Sequence, residues 1–119
     1  MVDERIFTAL TSPARDSVTA VFHHLAAKWS IPVILVLGSG THRFNDLRRS
    51  VHGISHRLLS VTVRQLERDG LIRRKVTNSV PPGVEYSLTT LGARFESLVE
   101  VVIGWGHTHS DALRPDLSR

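Results

Sequence analysis

The 119-residue sequence contains no cysteine, one methionine and one tyrosine. Without a thiol, these residues cannot form disulfides, bind metals through thiolates, use cysteine as a nucleophile or sense oxidants through cysteine. A long apolar run is missing as well. The longest, Ile31 to Leu37, falls far short of the ~20 residues that a membrane span requires. The opening MVDERIFTAL leads with acids and has no basic segment ahead of an apolar stretch, so it does not resemble a secretory signal. A cytoplasmic protein with no membrane contact is expected. Repeats and low-complexity segments are absent, and so is any nucleotide fingerprint: Gly38 and Gly40 make a G-x-G without the rest of the pattern. No motif gathers serine, histidine and aspartate into a catalytic group, so no enzyme activity is expected.

Acidic charge is scarce in one region. From Arg43 to Lys75 nine basic residues face only Asp46, Glu67 and Asp69, a net +6, which leaves −2 for the rest of a chain whose total is +4. A basic middle with mildly acidic flanks points to a localised polyanion-binding face. The hydrophobic fraction of 41% and charged fraction of 22% are those of an ordered globular chain, and the length fits one domain over residues 1–119.

The elements follow from local signals. Ser12 and Pro13 form a helix start, a capping hydroxyl followed by a proline at the first helical position. Val18, Phe22 and Leu25 then step along one stripe of a helix over 13–27, and ordinary core packing accounts for them. KWSIPVILVL at 28–37 is read as a second helix with Pro32 in or just after its first turn, ended by Gly38, Ser39 and Gly40. Phe44, Leu47 and Val51 mark a short third helix. His52, Gly53 and Ile54 break it, and Ser55 caps a fourth whose inward stripe is Leu59, Val63 and Leu66 and whose end is Asp69-Gly70. Two helices around a tight glycine turn make a helix-turn-helix.

After Gly70 the period becomes two: Ile72, Arg74 and Val76 alternate with Arg73, Lys75 and Thr77, a loop follows at 78–83, and Val84, Tyr86 and Leu88 alternate again. This pattern predicts a β-hairpin. A long helix with a threonine cap starts near Thr90, with Leu91, Phe95, Leu98, Val102 and Trp105 in a narrow stripe like a coiled-coil seam. The predicted fold is therefore mainly α with a β-hairpin wing, a winged helix-turn-helix.

With Leu59, Val63 and Leu66 inward, 100° per residue turns Arg57, Ser60, Val61, Arg64 and Arg68 outward. Ser55, His56 and Arg57 lie at the end that a recognition helix presents to major-groove base edges. Ser55, His56, Arg57, Ser60 and Arg64 are the expected base readers, arginine being able to grip guanine with two bonds. Arg43, Arg68, Arg73, Arg74, Lys75 and Asn78 are the expected phosphate contacts. A basic face alone is usually only solvated surface, but charge, turn and wing occur here in one order around one face. His23-His24, His52 with His56, and His107-x-His109 near Asp111 are conceivable metal ligands, but their spacing is unspecific, so neither metal nor cofactor is expected.

KW at 28–29, RFNDLRR at 43–49, GIS at 53–55, LERDGLI at 66–72, VPPGVEYSLTTLG at 80–92 and WG at 105–106 together resemble the HxlR-type winged-helix regulators, relatives of the MarR group. The resemblance runs from Lys28 to about Gly106. It implies a homodimeric transcription factor on double-stranded DNA, with a core at 28–106 and dimer contacts from the N-terminal helix (13–27) and the C-terminal helix (90–113). Val18, Phe22, Leu91, Phe95, Leu98, Val102 and Trp105 are the expected dimer residues. It also implies a pseudo-palindromic operator and, as the expected mode, repression by occlusion. Many members carry a redox-active cysteine near the start of the first helix; here that region is around Asp16 and Ser17, so any signal must be of another kind. Pro32 stands where the family usually has an ordinary helix former. Two other uses fit the same features: a winged-helix module whose basic face meets an acidic protein, and a sensor with a small-molecule effector pocket between the apolar helices.

Overall fold

Pro32 is the third residue of a helix, one of the first four positions whose amides have no carbonyl within the helix to bond. The proline therefore costs little there, and Ser30–Gly38 forms as the sequence predicts. In the computed structural model, which describes residues 3–6 and 15–113, the order is α1 (Arg15–Ala26), α2 (Ser30–Gly38), β1 (His42–Arg43), α3 (Phe44–Ser50), α4 (His56–Arg68), β2 (Ile72–Thr77), β3 (Gly83–Leu88) and α5 (Thr90–Thr108). The Ser12-Pro13 start signal and the chain after Leu113 lie outside the described residues.

Helix α2 is apolar all round because it is central. Val33, Ile34 and Leu37 are buried, and around them close Leu47 of α3, Leu59, Val63 and Leu66 of α4, Ile72 and Tyr86 of the hairpin, and Phe95 and Val99 of α5. The hairpin pairs Ile72 with Leu88 through Thr77 with Gly83. A third strand was not anticipated: β1, only two residues long, pairs His42 with Tyr86 and Arg43 with Glu85, which makes an antiparallel sheet of order β1-β3-β2.

Three glycines have reasons tied to place. Gly53, in the turn between α3 and α4, has φ +85°, and Gly70, after α4, has φ +80°, left-handed conformations that glycine adopts without strain. Gly92 is different, since its backbone is ordinary helix. A Cβ there would fall on the carbonyl oxygen of Leu71, so the start of α5 can seat against the α4–β2 junction only because no side chain intervenes. The same junction holds α5 by hydrogen bonds: the Thr89 amide donates to Leu71 O (3.1 Å) and the Thr89 hydroxyl to Gly70 O (2.6 Å).

The C-terminal stripe does not act as one seam. Phe95 is 8% exposed and belongs to the protomer's own core, whereas Leu91, Leu98, Val102 and Trp105 are exposed. The face that includes Val99 turns toward α2, and the stripe read from the sequence straddles its border, with Phe95 on the side of the protomer's own core. On α1, Phe22 is exposed and Val18 half-buried. Helix α5 ends at Thr108 rather than at 113. No helix among the described residues is both long and apolar enough to cross a membrane by itself.

Candidate nucleic-acid interface

Ser55 sets the start of α4. Its extended backbone leaves the helix amides unpaired, and its hydroxyl accepts a hydrogen bond from the Leu58 amide at 3.1 Å. A hydroxyl that accepts through a lone pair still has its own hydrogen to donate, so capping and contact with DNA are compatible. His56, the first helical residue, is exposed, but its ring packs on Phe44 of α3 with centroids 4.7 Å apart. The contact fixes the imidazole at the mouth of the helix-turn-helix.

Along α4 the burial alternates as its spacing requires. Leu59, Thr62, Val63 and Leu66 are buried, while Arg57, Val61, Arg64 and Arg68 are exposed. Those four fall within about 60° of one another around the axis and span roughly 16 Å along it. Thr62 is kept on the buried side by donating its hydroxyl to Leu58 O at 2.7 Å. None of Arg57, Arg64 and Arg68 forms an ion pair among the described residues, in contrast to Arg49, which is paired with Asp46. Gln65, also exposed and on the flank of this stripe, was not selected from the sequence. Its amide can bond adenine in two places, and helical spacing from Arg57 and Arg64 could have found it.

The wing residues divide. Side chains alternate along a strand, so Arg74 shares the side of buried Ile72 whereas Arg73 and Lys75 point to the other side. Arg74 meets α4 in a cleft of about 210 Å³ lined with Ser60, Val63, Arg64, Glu67 and Tyr86. Ser60, Arg64 and Arg74 are thus brought together, with Glu67 beside them. Arg43 is partly committed: its guanidinium donates to Ser79 Oγ at 2.7 Å, tying β1 to the wing loop near Asn78. Arg73, Arg74, Lys75 and Asn78 are all exposed.

The histidines enter packing instead. His24 is buried against Ser30 and Asp69, and His109 stacks on Trp105 with centroids 4.5 Å apart. No three His, Cys, Asp or Glu side chains converge among the described residues. A second, larger cavity of about 600 Å³ lies between α1 and α5, lined mainly by apolar groups of Val21, Leu91, Phe95 and Leu98, with Asp16 and Arg94 among its polar residues.

Two helices about a glycine turn, the second exposing an arginine stripe and followed by a basic three-stranded wing, define a winged helix-turn-helix DNA-binding protein. Comparison with known proteins gives the family. The HxlR-like helix-turn-helix family model matches residues 24–114, and the chain belongs to that family. It is 40% identical to the HTH-type transcriptional regulator YtfH of Escherichia coli (strain K12) over 93 residues, 78% of this chain and 71% of that protein. Among solved structures, a transcriptional regulator described as MarR-family from Enterococcus faecalis V583 superposes with a TM-score of 0.74 at 32% identity, covering 87% of this chain and 94% of that one. The redox regulator HypR in its reduced form gives 0.70 at 35% identity, covering 85% and 96%. The chain is a transcriptional regulator with a helix-turn-helix DNA-binding domain.

Proposed function

We propose that residues 1–119 act as one winged-helix unit, a cytoplasmic homodimer that represses transcription by occupying a pseudo-palindromic operator. Ser55, His56, Arg57, Ser60 and Arg64 read bases. Arg43, Arg68, Arg73, Arg74, Lys75 and Asn78 hold phosphates, with Arg43 also bracing the wing. The observation that carries this reading is the stripe of Arg57, Arg64 and Arg68 on one exposed face of α4, without an ion pair among the described residues and beginning at the N-terminal end that recognition helices present to the groove.

Support for the dimer comes from α5. Beyond Val99, its last buried residue, Val101, Val102, Ile103 and Trp105 are all exposed, and a helix segment apolar on several sides is one that is ordinarily buried. A two-fold pair would place the two α4 helices on half-sites ~34–36 Å apart. Footprinting on a selected operator tests this: two protections one helical turn apart with two protomers per duplex are expected, and a single protection with one protomer would refute the dimeric reading.

The cavity of about 600 Å³ between α1 and α5 favours a small-molecule effector as the signal. Redox sensing of the kind named for HypR has no thiol to act on within these 119 residues.

A further inference from the structure

An aspartate at the C-terminal end of a helix stands against the helix dipole, which favours cations there and disfavours anions. Asp69 is the C-cap of α4, so its carboxylate calls for a local donor. That donor comes from far away in sequence. His24 of α1, 45 positions earlier, places Nε2 2.5 Å from Asp69 Oδ2. Its Nδ1 lies 3.3 Å from Ser30 Oγ at the start of α2, and its ring meets Phe95 of α5 edge-on, with centroids 6.2 Å apart.

The His24 side chain is only 3% exposed, against 39% for Asp69. A site buried against Phe95 could be filled by an apolar side chain at less desolvation cost. The imidazole instead has both nitrogens partnered and connects helices that share no other side-chain hydrogen bond among the described residues. Asp69 is followed by Gly70, whose carbonyl accepts from Thr89, and by Leu71, whose carbonyl accepts from the Thr89 amide. The end of α4, the start of the wing and the start of α5 therefore meet where His24 arrives.

We propose that His24 is a positioning residue for DNA recognition: through Asp69 it ties α1 to the end of α4, so that the seating of α1 sets the orientation of the recognition helix. The inference rests on the reading of α4 as that helix. His24 and Asp69 also form part of the wall of the large cavity, so a guest there, or a partner displacing α1, would act on the same link.

The test uses the full chain and four variants, His24→Gln, His24→Asn, His24→Leu and Asp69→Ala, each compared with wild type for folding by circular dichroism, for dimerisation by sedimentation, and for affinity on a selected operator and a scrambled duplex. A glutamine amide reaches the position of Nε2, and an asparagine amide only that of Nδ1. The expected result is that His24→Leu, His24→Asn and Asp69→Ala, folded and dimeric, lose operator affinity about tenfold, as expected for one hydrogen bond to a charged group. Their affinity for the scrambled duplex should stay unchanged, and His24→Gln should remain within about threefold of wild type. Should His24→Leu fail to fold, Asp69→Ala, at a partly exposed side chain, still decides the matter. Wild-type operator affinity in folded His24→Leu or Asp69→Ala would reduce the pair to a stability contact and overturn the proposal, as would a His24→Gln protein as weak as His24→Leu. Protection of the amides of Leu66 and Leu71 from hydrogen exchange gives a readout without DNA: it should fall in His24→Leu and persist in His24→Gln, and equal protection in both would also overturn the proposal. If wild type selects no duplex, the DNA-recognition reading itself fails and the inference with it, even if the exchange result holds.

Discussion

Replacing Gly92 with alanine should destabilise the protein even though alanine is the better helix former by ~1 kcal/mol. The added methyl would occupy the position of the Leu71 carbonyl oxygen, and that oxygen is backbone, with no rotamer to yield. The first turn of α5 must move away, and the nearest casualties are the Thr89 amide bond to Leu71 O and the Thr89 hydroxyl bond to Gly70 O. Overpacking of this kind costs about 1–3 kcal/mol, and each hydrogen bond lost adds roughly 1 kcal/mol. Set against the gain in propensity, the net loss is about 2–4 kcal/mol. Urea unfolding at one fixed protein concentration would read it as a midpoint lowered by roughly 1–2 M, taking a mid-range slope of ~2 kcal/mol per M. Gly104 in the same helix is the contrast: within the protomer a Cβ there meets nothing within 4 Å, so Gly104→Ala should leave the protomer's own packing unstrained and gain up to ~1 kcal/mol of helix propensity. A Gly92→Ala protein as stable as wild type would refute the close-approach argument.

Other outcomes are as specific. Arg57→Ala and Arg64→Ala should each cost ~1–3 kcal/mol on operator DNA and relax its sequence preference, whereas Arg73→Ala and Lys75→Ala should weaken all duplexes alike and lower the salt slope by about 1; equal losses on specific and random DNA for the first pair would overturn that division. Ser55→Ala removes the cap bond to Leu58 and should lower unfolding stability by about 0.5–2 kcal/mol, read by denaturant titration, while Ser55→Asp, which retains a capping oxygen, should keep most of it. Phe95→Ala should cost roughly 3–5 kcal/mol of folding stability because its ring is in the core. Trp105→Glu, at an exposed position, should leave a folded protomer that sediments as a monomer; a dimer of unchanged affinity would exclude this end of α5 from the interface.

Much of this fold is written in local signals. Ser55 announces the start of α4, Gly70 its end, and the alternation from Ile72 to Leu88 its hairpin, because a cap, a left-handed residue and a period of two each act within a few residues. Strand β1 has only His42 and Arg43, too few for any period, and exists because the edge of β3 offers it a partner at Tyr86 and Glu85. The place of Phe95 in the core was hidden for a related reason: helical spacing defines a stripe, but which part of it faces the protomer's own core depends on where α2 lies. His24 looked like one of several scattered histidines, since its partner Asp69 is 45 positions away and no local pattern connects them. At the candidate interface the outward set on α4 and the alternation of Arg74 with Arg73 and Lys75 were legible from spacing, whereas the cleft that Arg74 shares with Ser60 and Arg64, and the hold of Arg43 on Ser79, required the tertiary structure.

The most direct test of the central claim is selection of bound duplexes from a random DNA pool, followed by titration of the winner and a scrambled control across a salt series. The account predicts a pseudo-palindrome bound at least ~10³-fold more tightly than the control, with affinity falling steeply as salt rises. Equal affinity for winner and control, or no enrichment with affinity for an acidic protein instead, would contradict the assignment of the α4 face to operator recognition.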